Sequence, residues 1–128
     1  MMTEYYEGRI VIRVFGSNEA GRHGKGYAFV CKKLYGAIYG QGVGKQGNCY
    51  GIPTKDGRIK TLPLDKIKPY VDQFIEYAKD HKEYYFKVSK VGCGLAGYNP
   101  VDIAPFFREA KSLPNVELHK SFTGVLVE

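Results

Sequence analysis

The sequence predicts an α/β layered domain, and three observations carry that expectation. Short β-branched and aromatic runs recur along the chain. Between them lie segments whose apolar residues repeat at i, i+3, i+4 and i+7, the spacing of one helix face. Glycine punctuates the boundaries, with sixteen in 128 residues. Strands that alternate with helices pair in parallel through crossover connections.

The elements follow in order. Arg9–Phe15 is β-branched and mostly apolar between Gly8 and Gly16, and reads as a buried strand. Gly26–Tyr35 reads as a helix with Tyr27, Val30, Cys31 and Leu34 on its apolar face and Lys32 and Lys33 pointing away. Gly36–Gly47 reads as loop, and Cys49–Pro53 as a second strand followed by an Asp56-Gly57 turn signal. Pro63–His81 reads as the longest helix, with Ile67, Tyr70, Val71, Phe74 and Ala78 as its stripe. Pro69 is awkward there, standing at the first helical position or interrupting the first turns. Tyr84–Val91 reads as a strand. Asn99-Pro100-Val101-Asp102 then has the pattern of a capped helix start, with Ile103, Phe106, Phe107 and Ala110 behind it. After a turn at Pro114-Asn115, Val116–His119 reads as the last long strand and Val125–Val127 as a short one. The whole chain, residues 1–128, reads as one domain without linker, repeat or low-complexity stretch.

Composition excludes several classes. With 44% apolar and 14% aromatic residues the chain buries a core, so it is not disordered. No apolar run approaches the roughly 20 residues of a membrane helix, so no membrane partner is expected. The polar, acidic start Met1–Glu7 is not a signal peptide. Cys31, Cys49 and Cys93 are an odd number with no C-x-x-C pair, which points to reduced thiols in a cytoplasm. His23, His81 and His119 lie apart in sequence, so no metal cluster is expected. No cofactor is implied.

The glycines are the chemical signal. Fourteen of the sixteen lie in two blocks, Gly16–Gly57 and Gly92–Gly97. Each block opens at the carboxyl end of a predicted strand, where ligands of open α/β sheets bind. Loops rich in bare backbone amides suit phosphate, and two of them on one sheet edge suit a diphosphate. The candidate ligand-binding residues are Gly16, Ser17, Asn18, His23, Gly24, Lys25 and Gly26 in the first loop. In the second they are Gly92, Cys93, Gly94, Leu95, Ala96, Gly97 and Tyr98. Asn18 binds a ribose hydroxyl or caps its turn; Tyr98 stacks on a sugar or base or packs in the core. Cys93 stands between glycines, but no sequence signature supplies it with a base. Lys55, after Ile52-Pro53-Thr54, points into the crevice or into solvent.

Together these loops resemble those of macro domains, the ADP-ribose-binding α/β/α family. The family's Asn-Ala-Ala-Asn-type strand end followed by a glycine cluster is similar to Phe15-Gly16-Ser17-Asn18 followed by His23-Gly24-Lys25-Gly26-Tyr27-Ala28. Asn18 matches the second Asn, and Phe15 replaces the first. The family's G-I-Y-G-Y-P-like loop is similar to Gly94-Leu95-Ala96-Gly97-Tyr98. The nearest likeness is to the branch of the terminal ADP-ribose glycohydrolases and the DarTG antitoxin, through His23–Ala28, Pro53-Thr54-Lys55 and Lys90-Val91-Gly92-Cys93-Gly94-Leu95, in the same order. The chain also resembles small bacterial and phage proteins.

The resemblance implies a three-layer α/β/α fold around a central mixed sheet, with ADP-ribose or a related nucleotide as ligand. Its source would be ADP-ribosylated DNA or protein. The resemblance also implies a catalytic role for Lys55 at the distal ribose, where its amine engages the developing oxocarbenium or the opened sugar. The glycohydrolases place an acid directly after G-C-G-L, a position that is Ala96 here. Three functions stay open: an ADP-ribosyl hydrolase, a binder that sequesters a nucleotide signal in phage–host defence, and a basic nucleic-acid module. The last rests on 19 Lys+Arg against 13 Asp+Glu, a net +6. The expected location is a cytoplasm, that of the host if the gene is a phage's.

Overall fold

In the computed structural model, which describes residues 1–127, one strand organises the sheet. This is β2 (Arg9–Asn18), flanked in parallel by β4 (Cys49–Lys55) on one side and β5 (Tyr84–Val88) on the other. Beyond β4 lies β3 (Gly44–Gln46), antiparallel, and beyond β5 lies β6 (Val116–Leu118), parallel. A two-residue strand, β1 (Tyr5–Tyr6), runs antiparallel to the start of β2. The order is β3-β4-β2-β5-β6 with β1 beside β2, a six-stranded mixed sheet in an α/β fold.

β2 does not stop at Gly16. Its pairing with β4 carries on through Gly16↔Ile52 and Ser17↔Pro53 and shifts register at Asn18↔Lys55. The glycine is accommodated because ladder bonds form without a side chain. β3 lies within the segment read as loop; its three residues pair with β4, and long-range pairing of so short a strand leaves little local pattern.

Alternation along β2 divides the core. Ile12 and Val14 join the large cluster with α2 (Leu64–Asp80), α3 (Pro100–Ile103) and α4 (Lys120–Val125). Phe15 faces the other way, into a small cluster with Cys31, Ala37 and Cys49. Helices thus cover both faces. On the large side Phe74 is the hub, 5.2 Å from the Tyr50 ring, 5.5 Å from Phe86 and 6.3 Å from Phe107, all edge-on.

α2 buries Ile67, Val71, Phe74, Ile75 and Ala78, the predicted stripe with Ile75 in place of the half-buried Tyr70. Pro69 lies inside this helix, past its first turn, so the Asp65 carbonyl loses its intrahelical donor. At the other end, the buried Asn115 amide donates to the Ala78 and His81 carbonyls (3.0 and 3.2 Å), which also accept the His81 and Tyr84 backbone N–H groups. Asn99 opens α3, and its N–H donates to the Asp102 carboxylate at 3.0 Å. Pro105 then follows, and Ala104–Ser112 continues as a 3-10 helix that buries Ala104, Phe107 and Ala110.

Two expectations are corrected. α1 (Gly26–Val30) runs into a π-helical turn, Cys31–Tyr35, and its buried seam is Ala28, Cys31 and Tyr35. Tyr27, Val30 and Leu34 stay more than a third exposed. This seam packs on the second sheet face against Phe15 and Cys49. Val125–Val127 is not a strand: α4 runs through Val125, and Leu126 is buried after it in the large core.

Phe74→Ala should lower unfolding stability by about 3–5 kcal/mol, the cost of truncating a fully buried aromatic, measurable by urea denaturation.

Candidate functional site

Because β4, β2, β5 and β6 run parallel, their carboxyl ends share one edge of the sheet. A cleft of about 650 Å³ lies there. The first glycine block contributes Gly16, Ser17, Asn18, Gly24, Lys25 and Gly26 to its wall, and the second contributes Gly92, Gly94, Leu95 and Ala96. Lys55, paired in register with Asn18, lines the same cleft.

Four expected residues fall outside this wall. His23 is fully buried against Phe15, with ring centroids 5.1 Å apart. Its Nε2 lies 2.8 Å from the Gln41 carbonyl and 3.2 Å from Gln46 Oε1, two acceptors, so Nε2 carries the proton. Tyr98 packs against the large core, and its hydroxyl donates to the Leu62 carbonyl at 2.6 Å. Cys93 is half-buried against that same core, and burial, reinforced by Asp102, pushes its thiol pKa up. A protonated thiol away from the cleft wall is no nucleophile. Gly97 closes the second loop, donating its N–H to the Gly94 carbonyl.

The glycines divide into two kinds. Gly21 and Gly42 sit where two backbones meet: a Cβ on Gly42 would stand 2.1 Å from the Asn18 carbonyl oxygen, and one on Gly21 2.4 Å from the Gln41 amide nitrogen. The Ser17 hydroxyl donates to the Gly42 carbonyl and fastens the same junction. Gly24 and Gly94 are different, because a Cβ on either meets nothing within 4 Å. Asn18 shapes the loop from within: its amide donates to the Arg22 carbonyl and accepts from the Arg22 N–H, both at 2.9 Å. This is the turn-capping alternative of the two read from sequence.

The resulting surface favours anions. Among the described residues, the amides of Gly24, Lys25 and Gly26 and of Gly92, Gly94, Leu95 and Ala96 have no acceptor. Arg22, Lys25, Lys55 and Lys90 line the cleft, and no carboxylate does.

Sequence reading missed several wall residues: Arg22, Tyr27, Ala28, Thr54, Ile59, Ser89, Lys90, Val91 and His119. Ser89, Lys90 and His119 directly follow strands β5 and β6, so their place at strand ends was the available signal. His119 is held by Ser121, whose N–H donates to its Nδ1 at 3.1 Å; the Ser121 hydroxyl lies 2.8 Å from the same nitrogen. Nδ1 therefore accepts, which leaves Nε2 protonated. No cluster of three or more metal-ligating side chains occurs among the described residues, and no helix among them is long and apolar enough to cross a membrane.

No protein-family model matches this chain, and no curated protein matches it. Among solved structures, the chain is similar to that of a protein of unknown function from Bacteroides thetaiotaomicron. The TM-score is 0.58 at 17% identity, over 84% of this chain and 87% of that one. At that identity the likeness concerns the fold.

Gly24→Val and Gly94→Val should keep the wild-type melting temperature, because both sites have room. Gly42→Val should lower it sharply, because the added atoms meet the Asn18–Glu19 backbone. Differential scanning fluorimetry checks both outcomes.

Proposed function

We propose that the cleft binds ADP-ribose or a closely related nucleotide, with the diphosphate held between the two glycine loops. One observation carries this reading: two loops of unpaired amides face each other across a wall bearing four cations and no carboxylate. Backbone amides in such concavities hold phosphate oxygens without a dedicated side chain. The resemblance of the loop motifs to macro domains names the nucleotide. A cleft of about 650 Å³ is in the range that encloses a ligand of this size.

The reaction that the resemblance implies is hydrolysis of an ADP-ribosyl linkage on DNA or protein, with Lys55 at the distal ribose. Ala96 lines the cleft where the glycohydrolases carry their acid, and no other carboxylate replaces it. This favours binding without turnover, as in a protein that sequesters a nucleotide signal during phage–host conflict. Three free cysteines support a reducing cytoplasm as its place of work.

Calorimetry should show saturable ADP-ribose binding, weakened at least about tenfold, or 1.4 kcal/mol, by Gly24→Val or Gly94→Val. No heat at millimolar ligand would remove the reading. Incubation with ADP-ribosylated DNA and protein then separates the two modes. Release of ADP-ribose that disappears in Lys55→Ala identifies a hydrolase; binding without release identifies a sequestering protein.

A further inference from the structure

The turn that follows Lys55 holds a conformation its sequence does not favour. Ile59 has φ of 64°, in the left-handed region, where a β-branched side chain is a genuine outlier. Gly57, two residues earlier, does not use that region. Strain of this kind persists only where the surroundings enforce it, and it gathers at ligand sites.

The surroundings do enforce it. The Asp56 carboxylate accepts the Arg58 and Lys60 N–H groups at 2.8 and 3.0 Å, which hold its pKa below the ordinary 3.8. The Ile59 N–H donates to the Asp56 carbonyl, and the Asp56 N–H to the Lys60 carbonyl. Lys55 and Thr61 form a bridge across the base of the turn. The Thr61 hydroxyl donates to the Ala96 carbonyl at 3.0 Å and ties the turn to the second glycine loop.

The enforced conformation leaves Ile59 38% exposed on the cleft wall that it shares with Lys55. Leu95, on the second loop, is 64% exposed and also lines the cleft. Its Cδ1 reaches to 3.2 Å from where a Cβ of Gly26 would stand, so this side chain leans toward the first loop. Ile59 and Leu95 thus add exposed apolar surface to a wall that also carries four cations. Pyrophosphate alone would leave both facing water, whereas a ligand with an apolar face would cover them.

We propose that Ile59 is a specificity-determining residue, held in its left-handed conformation to pack against the carbon face of a sugar ring beside Lys55. This rests on the nucleotide reading and extends it: the group beyond the diphosphate, and not the diphosphate alone, is selected.

The test compares ADP-ribose with ADP by calorimetry on the wild type, Ile59→Gly and Ile59→Asn. Gly and Asn both tolerate positive φ, so each variant should fold with a melting temperature at or above the wild type's. The wild type should prefer ADP-ribose over ADP. Both variants should lose about tenfold in ADP-ribose affinity while ADP affinity holds, collapsing the preference. Variants that keep the wild-type preference would make Ile59 a turn residue and nothing more. If the wild type binds neither nucleotide, the nucleotide reading fails, and 8-anilinonaphthalene-1-sulfonate, aromatic, largely apolar and singly charged, decides the role of Ile59. Fluorescence enhancement on the wild type that is lost in Ile59→Gly supports the apolar contact; equal enhancement in both, or none in either, overturns it.

Discussion

Parallel pairing of β2 with both β4 and β5 is the constraint on which the site depends. The ladder fixes Asn18 beside Lys55 on one side, and on the other it carries β5 to its end at Val88, just before the Ser89–Gly92 segment. Residues far apart in sequence therefore meet on one edge, and neither glycine loop forms a cleft without the other. Ser89 reinforces the alignment, since both its N–H and its hydroxyl donate to the Val14 carbonyl. The large core holds the strands in this order: Phe74 contacts rings from β4, β5 and the 3-10 segment together.

A second junction makes the first loop rigid. Gly21 and Gly42 let the 18–22 turn and the 40–42 segment touch backbone to backbone, and Ser17, Asn18 and His23 bond across or within that contact. The first glycine block thus serves two ends. Some of its glycines permit close packing, and others, such as Gly24, leave bare amides at the cleft. Exposed amides held on a fixed frame bind an anion without first being ordered, which lowers the entropic cost of association.

Much of this was legible in the sequence. The parallel strands, the two loops and the carboxyl-edge location followed from alternation and glycine clustering, and eleven of the wall residues were named from them; the strand ends did not, since β2 runs on to Asn18 and β5 stops at Val88. What stayed hidden depends on contacts distant in sequence. Nothing local says that Gly42 meets Asn18, or that His23 turns inward to Gln41 and Gln46. The helical spacing of Tyr27, Val30, Cys31 and Leu34 marked an apolar stripe, but the small second cluster accepts only the neighbouring seam of Ala28, Cys31 and Tyr35. Val125–Val127 has strand-like residues, yet the large core takes Leu126 from the end of a helix instead. The left-handed Ile59 contradicts its own propensity, and such a conflict becomes visible only once the backbone is in view.

On the reading proposed above, the two loops act as one anion cradle. A ¹H–¹⁵N correlation spectrum recorded during titration with ADP-ribose tests it most directly. The amides of Gly24–Gly26 and of Gly92–Ala96 should shift together along one saturation curve, while those at the C-terminal end of α2 stay fixed. Shifts confined to one loop, shifts centred elsewhere, or no shift at millimolar ligand would contradict it.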